Sequence, residues 1–296
     1  MALPRIELKT EKRNFHPWIY RKMLERPREG GPRDGDAVEI YDKRGRFVGR
    51  GVYNGRSQIA LRVLDWGGKG RPFDFAFFRD RIGEAVAIRR EVLGLEERTD
   101  AYRAVNSEGD GLSGLVVDIY ARRAVVEIMS LGLWKMRQWI EQALFEHFSL
   151  DGVHFRADER VQRIEGFRPK PEAGPVPVTI VENGVRFEVD VAGGHKTGFF
   201  LDQRENRLAL AELAHGKRVL DVCCYTGGFA LAARVRGKAR EALGIDLDEK
   251  AIARALRNAE LNGLGGPNGR VRFLHANAFH FLKEPREAED LWDERD

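Results

Sequence analysis

The last third of the chain contains residues whose types and spacing suit the binding of a nucleoside. An apolar run, Val219-Leu220-Asp221-Val222, leads into Cys223-Cys224-Tyr225-Thr226-Gly227-Gly228-Phe229, and a second apolar run ends Gly244-Ile245-Asp246. The pattern predicts a buried strand, a tight glycine-containing turn, a helix and a second strand. Glycine lets backbone N–H groups approach a ligand closely. A helix start favours negative charge. Asp246 follows Gly227 by 19 residues (246 − 227). At that distance a carboxylate closes the second strand and accepts from ribose hydroxyls. No Gly-x-Gly-x-x-Gly follows the first strand, which disfavours NAD and FAD. The combination of Asp221, Gly227-Gly228 and Asp246 therefore points to another adenosine cofactor. Asn277, after a third strand, offers its amide to an adenine edge; a turn-forming Asn is the bland alternative.

A second polar segment precedes this region. Gly193-Gly194-His195-Lys196-Thr197-Gly198-Phe199-Phe200-Leu201-Asp202-Gln203-Arg204 is dense in glycine and charge and then becomes helical. Lys196, Asp202, Gln203 and Arg204 lie close enough in sequence to cover a cofactor or meet a phosphate. A linker with a helix cap would look the same.

The elements that must position these residues follow from periodicity. Residues 218–222, 242–246 and 270–274 read as strands and about 227–237 and 248–262 as helices, the second opened by Asp248 as N-cap. This βαβαβ alternation implies a parallel, doubly wound sheet. Asn183-Gly184 between alternating runs predicts a hairpin over 178–191. Pro169, Pro171, Pro175 and Pro177 mark a linker. Earlier, residues 73–98 have helical spacing, strands are expected near 102–106, 114–120, 123–130 and 152–155, and a helix over 132–148 buries Leu133, Met136, Trp139, Ile140, Leu144 and Phe148 on one face. Residues 36–41, 47–53 and 59–64 alternate as short strands of a small β-barrel. The expected division is 1–72, 73–190 and 191–296.

Composition narrows the class. The chain has 296 residues, 43% hydrophobic and 32% charged, as in ordinary globular proteins. Residues 1–72 hold 17 Lys/Arg against 9 Asp/Glu, while Lys283–Asp296 holds 3 against 7. A basic first domain favours a polyanion, with Arg44 and Arg46 at a hairpin tip as candidate phosphate contacts. No run approaches the about 18 apolar residues of a membrane span, and no secretory signal is evident. The two cysteines, Cys223 and Cys224, are adjacent and cannot staple a fold. A cytoplasmic protein without metal is expected.

These residues carry a resemblance. Gly194–Arg204 and Tyr225–Phe229, with His16-Pro17-Trp18 and Glu108-Gly109-Asp110-Gly111-Leu112-Ser113-Gly114, are similar to segments of the RlmI-type family of large-subunit ribosomal RNA cytosine-C5 methyltransferases. The resemblance runs through essentially the whole chain. It implies a multidomain α/β protein: an N-terminal PUA-like barrel that binds RNA, a central α+β domain and a Rossmann-like class I methyltransferase domain. The cofactor implied is S-adenosylmethionine, held by Gln203, Asp221, Tyr225–Phe229, Asp246 and Asn277, where the family more often has Asp at 277. Ribosomal RNA is the implied partner, met by Arg44, Arg46, Lys196 and Arg204; a homodimer is compatible. The family also carries an Asp-Pro-Pro motif on a fourth strand and a nucleophilic Cys on a later one. Neither occurs in the 296 residues, so about three of seven strands, an exposed first strand and a truncated, inactive chain are expected. A thiolate must add to cytosine C6 before C5 can take the methyl group, and neither Cys223 nor Cys224 suits that role. A non-catalytic RNA-binding protein with a degenerate cofactor fold is the alternative.

Overall fold

A computed structural model describes residues 3–11, 16–27, 29–67, 72–169, 177–191, 198–266 and 269–283. The chain divides into two compact units, Met1–Glu96 with Tyr102–Gly174, and Glu97–Ala101 with Pro175–Asp296. The 178–191 hairpin, expected with residues 73–190, falls in the second of these units. The expected first and central domains form one compact unit.

The first unit begins with β1 (Arg5–Glu7), β2 (Trp18–Tyr20), β3 (Ala37–Tyr41), β4 (Phe47–Tyr53) and β5 (Ile59–Trp66) in the order β1-β3-β4-β5-β2. Ile19, Val38, Ile40, Leu61 and Val63 form its small core. The first two strands are too short to show a period in sequence. α1 (Phe75–Ala87) then packs on a four-stranded sheet of β6 (Ala101–Asn106), β7 (Leu115–Tyr120), β8 (Arg123–Ile128) and β9 (Gly152–Arg156), joined by α2 (Leu131–Lys135), α3 (Arg137–His147) and α4 (Glu159–Glu165). Phe77, Phe78, Ile82, Leu115, Ile128 and Leu133 fill the larger core.

Two expected helices are shorter than their periodicity suggested. The one over 73–98 runs only to Ala87 and ends in a wide turn over Ile88–Val92, which leaves Val92 exposed. The one over 132–148 is broken at Met136, and the break turns Trp139 outward, where it is 38% exposed.

Two sequence motifs 90 residues apart meet in this unit. The Trp18 indole N–H donates to Glu108 Oε1 at 2.6 Å, and Ser113 Oγ donates to the same oxygen at 2.8 Å. Arg62, 7% exposed, lies 3.5 Å from it. Nearby, Asn54 Nδ2 and the Leu131 amide both donate to the buried Glu165 carboxylate, at 2.7 and 3.1 Å. Carboxylates of the central part thus seat polar groups of the barrel, and Trp18 serves packing here. Replacing Trp18 by Phe keeps the ring and deletes the donor. The expected cost is about 1.5–3 kcal/mol, the worth of a hydrogen bond to a charged group. Urea denaturation measures it, and an unchanged midpoint would contradict the role of this bond.

The second unit opens with the hairpin β10 (Val178–Glu182) and β11 (Val185–Val189). Asn183 and Gly184 both have positive φ, 49° and 80°, as the predicted two-residue turn requires. α5 (Arg204–Leu213), β12 (Arg218–Val222), α6 (Gly228–Val235), β13 (Glu241–Asp246), α7 (Glu249–Leu261), β14 (Val271–His275) and α8 (Ala278–Lys283) follow. Strands β12, β13 and β14 are parallel and adjacent in that order. Among the described residues β12 lies at the sheet edge, with Leu220 and Val222 each 39% exposed. Asp248 caps α7 as expected, accepting from Lys250 and Ala251.

Helix α7 also closes the hairpin's edge. Asn262 Oδ1 accepts the Arg186 amide at 2.9 Å and Nδ2 donates to the Arg186 carbonyl at 2.7 Å. One turn earlier, Asn258 Oδ1 accepts the Glu188 amide at 2.7 Å. These side chains act as a strand would, pairing backbone groups that an edge leaves open.

Candidate cofactor-binding site

The carboxyl ends of β12, β13 and β14 lie side by side, since Val222 is in register with Ile245 and Asp246 with His275. In an open parallel sheet this is the end where ligands bind. The loop between β12 and α6 is held there by Asp246. Its Oδ2 accepts the Tyr225 amide at 2.8 Å and its Oδ1 accepts the Asp248 amide at 2.9 Å.

The loop backbone is unusual. Cys223 (φ 60°), Tyr225 (φ 51°) and Gly227 (φ 81°) are all left-handed, every second residue. For the two non-glycine residues this costs about 1–2 kcal/mol each. The amides of this stretch are bonded within the protein, Cys224 to the Ile245 carbonyl at 2.9 Å, Tyr225 to Asp246 at 2.8 Å and Gly227 to the Cys224 carbonyl at 2.9 Å, which fixes the loop's curvature. Gly227 is required twice over: besides its φ, a Cβ would fall 2.6 Å from Phe273 Cζ. Gly244 is required by the same ring, which would lie 2.5 Å from its Cβ. Phe273 of β14 thus occupies the space left by two glycines and props the loop from below.

Gly227 is the N-cap of α6 and has no side chain to cap with. Asp221 supplies the missing acceptor from the preceding strand, with Oδ2 3.0 Å from the Ala230 amide. The first-turn amides of Gly228 and Phe229 lie ahead of this bond, at the helix end next to the loop. Burial pushes the Asp221 carboxyl up to about 6, against the Ala230 hydrogen bond, and the neighbouring Asp246 adds to the rise. Asp221 therefore braces the loop from within, while Asp246 lies at its rim.

The other expected contacts divide. Tyr225 stands edge-on to Phe200, ring centroids 5.3 Å apart. Thr226 is buried, and its carbonyl accepts from Asn258 Nδ2 at 3.1 Å. Gln203 Oε1 accepts from Asn206 within the start of α5. Asn277 Oδ1 accepts the Phe279 and His280 amides at 2.9 and 3.3 Å, so its carbonyl caps α8 and its Nδ2 is the group left to address a base. Two residues escaped the sequence reading. Leu247 and Phe279 follow Asp246 and Asn277 at adjacent strand ends and are 67% and 78% exposed. A large apolar side chain one residue after Asp246 and another two residues after Asn277, past neighbouring strand ends, were the signal.

Of the basic candidates, Arg44 pairs with Glu11 at 2.7 Å and Arg46 with Asp42 at 2.7 Å, both at an exposed hairpin tip. Arg204 lies near Glu205 at 3.3 Å. Lys196 falls outside the described residues. Burial pushes the Cys224 thiol up, with Asp221 and Asp246 adding to it, which keeps it a thiol rather than a nucleophilic thiolate. Cys223 is exposed in the loop itself. Among the described residues no group of His, Cys, Asp and Glu is arranged to hold a metal, and no helix is long and apolar enough to cross a membrane.

Comparison with known proteins agrees with this geometry. The PUA-like domain family matches residues 9–66, and the S-adenosylmethionine-dependent methyltransferase family matches residues 156–288. The ribosomal RNA large subunit methyltransferase I of Aeromonas salmonicida is 41% identical over 283 residues, covering 94% of this chain and 70% of the relative. The chain belongs to this family. The Photobacterium profundum member is 36% identical over 286 residues, with 95% and 71% covered. Solved structures share the fold: a Streptococcus mutans protein described as "a putative sam-dependent methyltransferase" (TM-score 0.73, 21% identity, 97% and 74% covered), and a "putative methyltransferase complexed with SAH" (TM-score 0.75, 21% identity, 98% and 73% covered). Membership makes this chain an S-adenosylmethionine-dependent methyltransferase by family. Residues that could hold that cofactor are the Gly228 and Phe229 amides at the start of α6, for a carboxylate, and Asp246, for a ribose.

Asp221 provides a pH test. Its carboxyl is raised in the fold, so the folded state binds the proton more tightly and stability falls as pH rises from the ordinary carboxylate range through about 6. Asp221→Asn keeps an oxygen acceptor and removes the charge. Relative to the parent, the variant should gain about 1 kcal/mol between about pH 5 and about pH 8. Thermal unfolding followed by circular dichroism at the two pH values checks this, and an equal difference at both would contradict it.

Proposed function

We propose that the chain binds S-adenosylmethionine at the 223–229 loop and takes large-subunit ribosomal RNA as its substrate, with cytosine C5 as the methyl acceptor. The observation that carries the cofactor assignment is Asp246. One carboxylate orders both the loop and the next strand end, and its outer lone pairs are left for ribose hydroxyls. Bound there, the cofactor supplies an electrophilic methyl group. The protein's part is to present the first-turn amides of α6 to the carboxylate, hold the ribose, and flank the base with Leu247 and Phe279.

RNA is proposed as substrate because the relatives are named for it, because residues 9–66 match a PUA-like domain, and because residues 1–72 are basic. The salt-dependent affinity of a basic surface for phosphates supplies the binding. The C5 step needs a thiolate at C6 and a base for the C5 proton. Cys224 is buried and protonated, and Cys223 belongs to the cofactor loop. The 296-residue chain on its own is therefore proposed to bind both partners without methylating cytosine C5.

Calorimetry with S-adenosylmethionine and a tritiated-methyl transfer assay on large-subunit RNA test this reading. Asp246→Asn should weaken cofactor binding about tenfold, the loss of one charge-assisted hydrogen bond. An unchanged Kd would remove the basis of the site. Cofactor binding and RNA binding without transfer is the expected outcome; cytosine methylation by the purified chain would show that the nucleophile has been misjudged. RNA binding with no affinity for the cofactor would favour a non-catalytic RNA-binding protein.

A further inference from the structure

Arg207 is an arginine with a buried side chain that the cofactor chemistry does not use. It lies on α5 and is 3% exposed, and its partner Glu182, at the end of β10, is 2% exposed. The pair is bidentate: Nε donates to Oε1 at 2.7 Å and Nη2 to Oε2 at 2.8 Å. Burying an ion pair is a poor way to gain stability, because desolvation consumes most of the attraction. A well-packed apolar pair would serve the fold as well.

The guanidinium has other contacts. Nη2 also donates to the Phe200 carbonyl at 3.0 Å, and the Cζ atom sits 4.6 Å from the centroid of the Phe199 ring. Phe199 in turn packs on Phe187 of β11, ring centroids 5.0 Å apart. Phe200 meets Tyr225 of the cofactor loop edge-on. The stem of Arg207 lies against the first turn of α6, where a Cβ on Gly228 would come within 3.2 Å of Arg207 Cδ. The Asp221 carboxyl, pushed up mainly by burial, is held down in part by this same charge. One side chain thus touches the hairpin, the 198–203 segment and the start of α6.

We infer that Arg207, fixed by Glu182, is a positioning residue that holds Phe199 and Phe200 against the loop at Tyr225 and so sets the shape of the cofactor site. This rests on the assignment of the 223–229 loop to the cofactor. Arginine is needed because a planar fork can bond a carboxylate and a carbonyl together while its face packs on a ring; a lysine ammonium cannot do all three.

The test separates positioning from stability. Arg207→Met alone strands the Glu182 charge and risks unfolding. The double variant Glu182→Leu/Arg207→Met removes both charges and should melt near the parent temperature. It should nevertheless bind S-adenosylhomocysteine about tenfold more weakly by calorimetry, and the amides of 198–203 should exchange faster with deuterium. Phe200→Ala, which leaves the ion pair intact, should weaken the same Kd by a similar factor, and the two changes combined should be less than additive. Parental affinity in Phe200→Ala, or in the folded double variant, overturns the inference; so does full additivity. Tyr225→Ala is the control. If it leaves the Kd unchanged, the loop assignment itself is wrong; if it weakens binding while the other variants do not, only the role of Arg207 fails.

Discussion

A parallel sheet whose strands all point the same way must bring its strand ends together without hairpins to join them. In the second unit that task falls to the Asp246 carboxylate. Each of its oxygens accepts one backbone amide, Tyr225 from the loop after β12 and Asp248 from the entry to α7. The loop therefore keeps two non-glycine residues left-handed, a conformation that local sterics oppose. Phe273 below, Asp221 within and Asn258 behind complete the restraint, so the loop is over-determined by neighbours from every adjoining element.

Much of this could be read from the sequence because the relevant signals are local. The strands β12 to β14, the Asp248 cap and the Asn183-Gly184 hairpin each depend on residues within a few positions of one another. The family motifs at Tyr225–Phe229 and Glu108–Gly114 were visible for the same reason. What stayed hidden depends on partners far along the chain. Nothing near Trp18 announces that its indole meets Glu108, and nothing near Glu182 announces Arg207. Asn277 read as a base contact, yet its carbonyl bonds the helix immediately after it. Asp221 read as a cofactor contact, and its oxygen bonds the Ala230 amide of α6, because the glycine at the cap has no side chain of its own.

The domain division shows the same limit at larger scale. Composition separates a basic front segment, but the polar seats at Glu108 and Glu165 join the barrel and the central sheet into one unit. The hairpin at 178–189 follows a proline-rich stretch and precedes a glycine-rich one, so sequence leaves its allegiance open. Asn258 and Asn262 decide it by pairing their amides with its edge.

The left-handed residues of the loop also bear on time. A loop already turned toward its ligand does not have to search for that shape at each encounter, so little ordering entropy is lost on binding. Differences between variants of such a site appear mainly in how long the complex lasts rather than in how often it forms. With the cofactor at this loop as proposed, its residence time would be governed from the layer beneath, by a phenylalanine and two carboxylates that fix the loop's curvature.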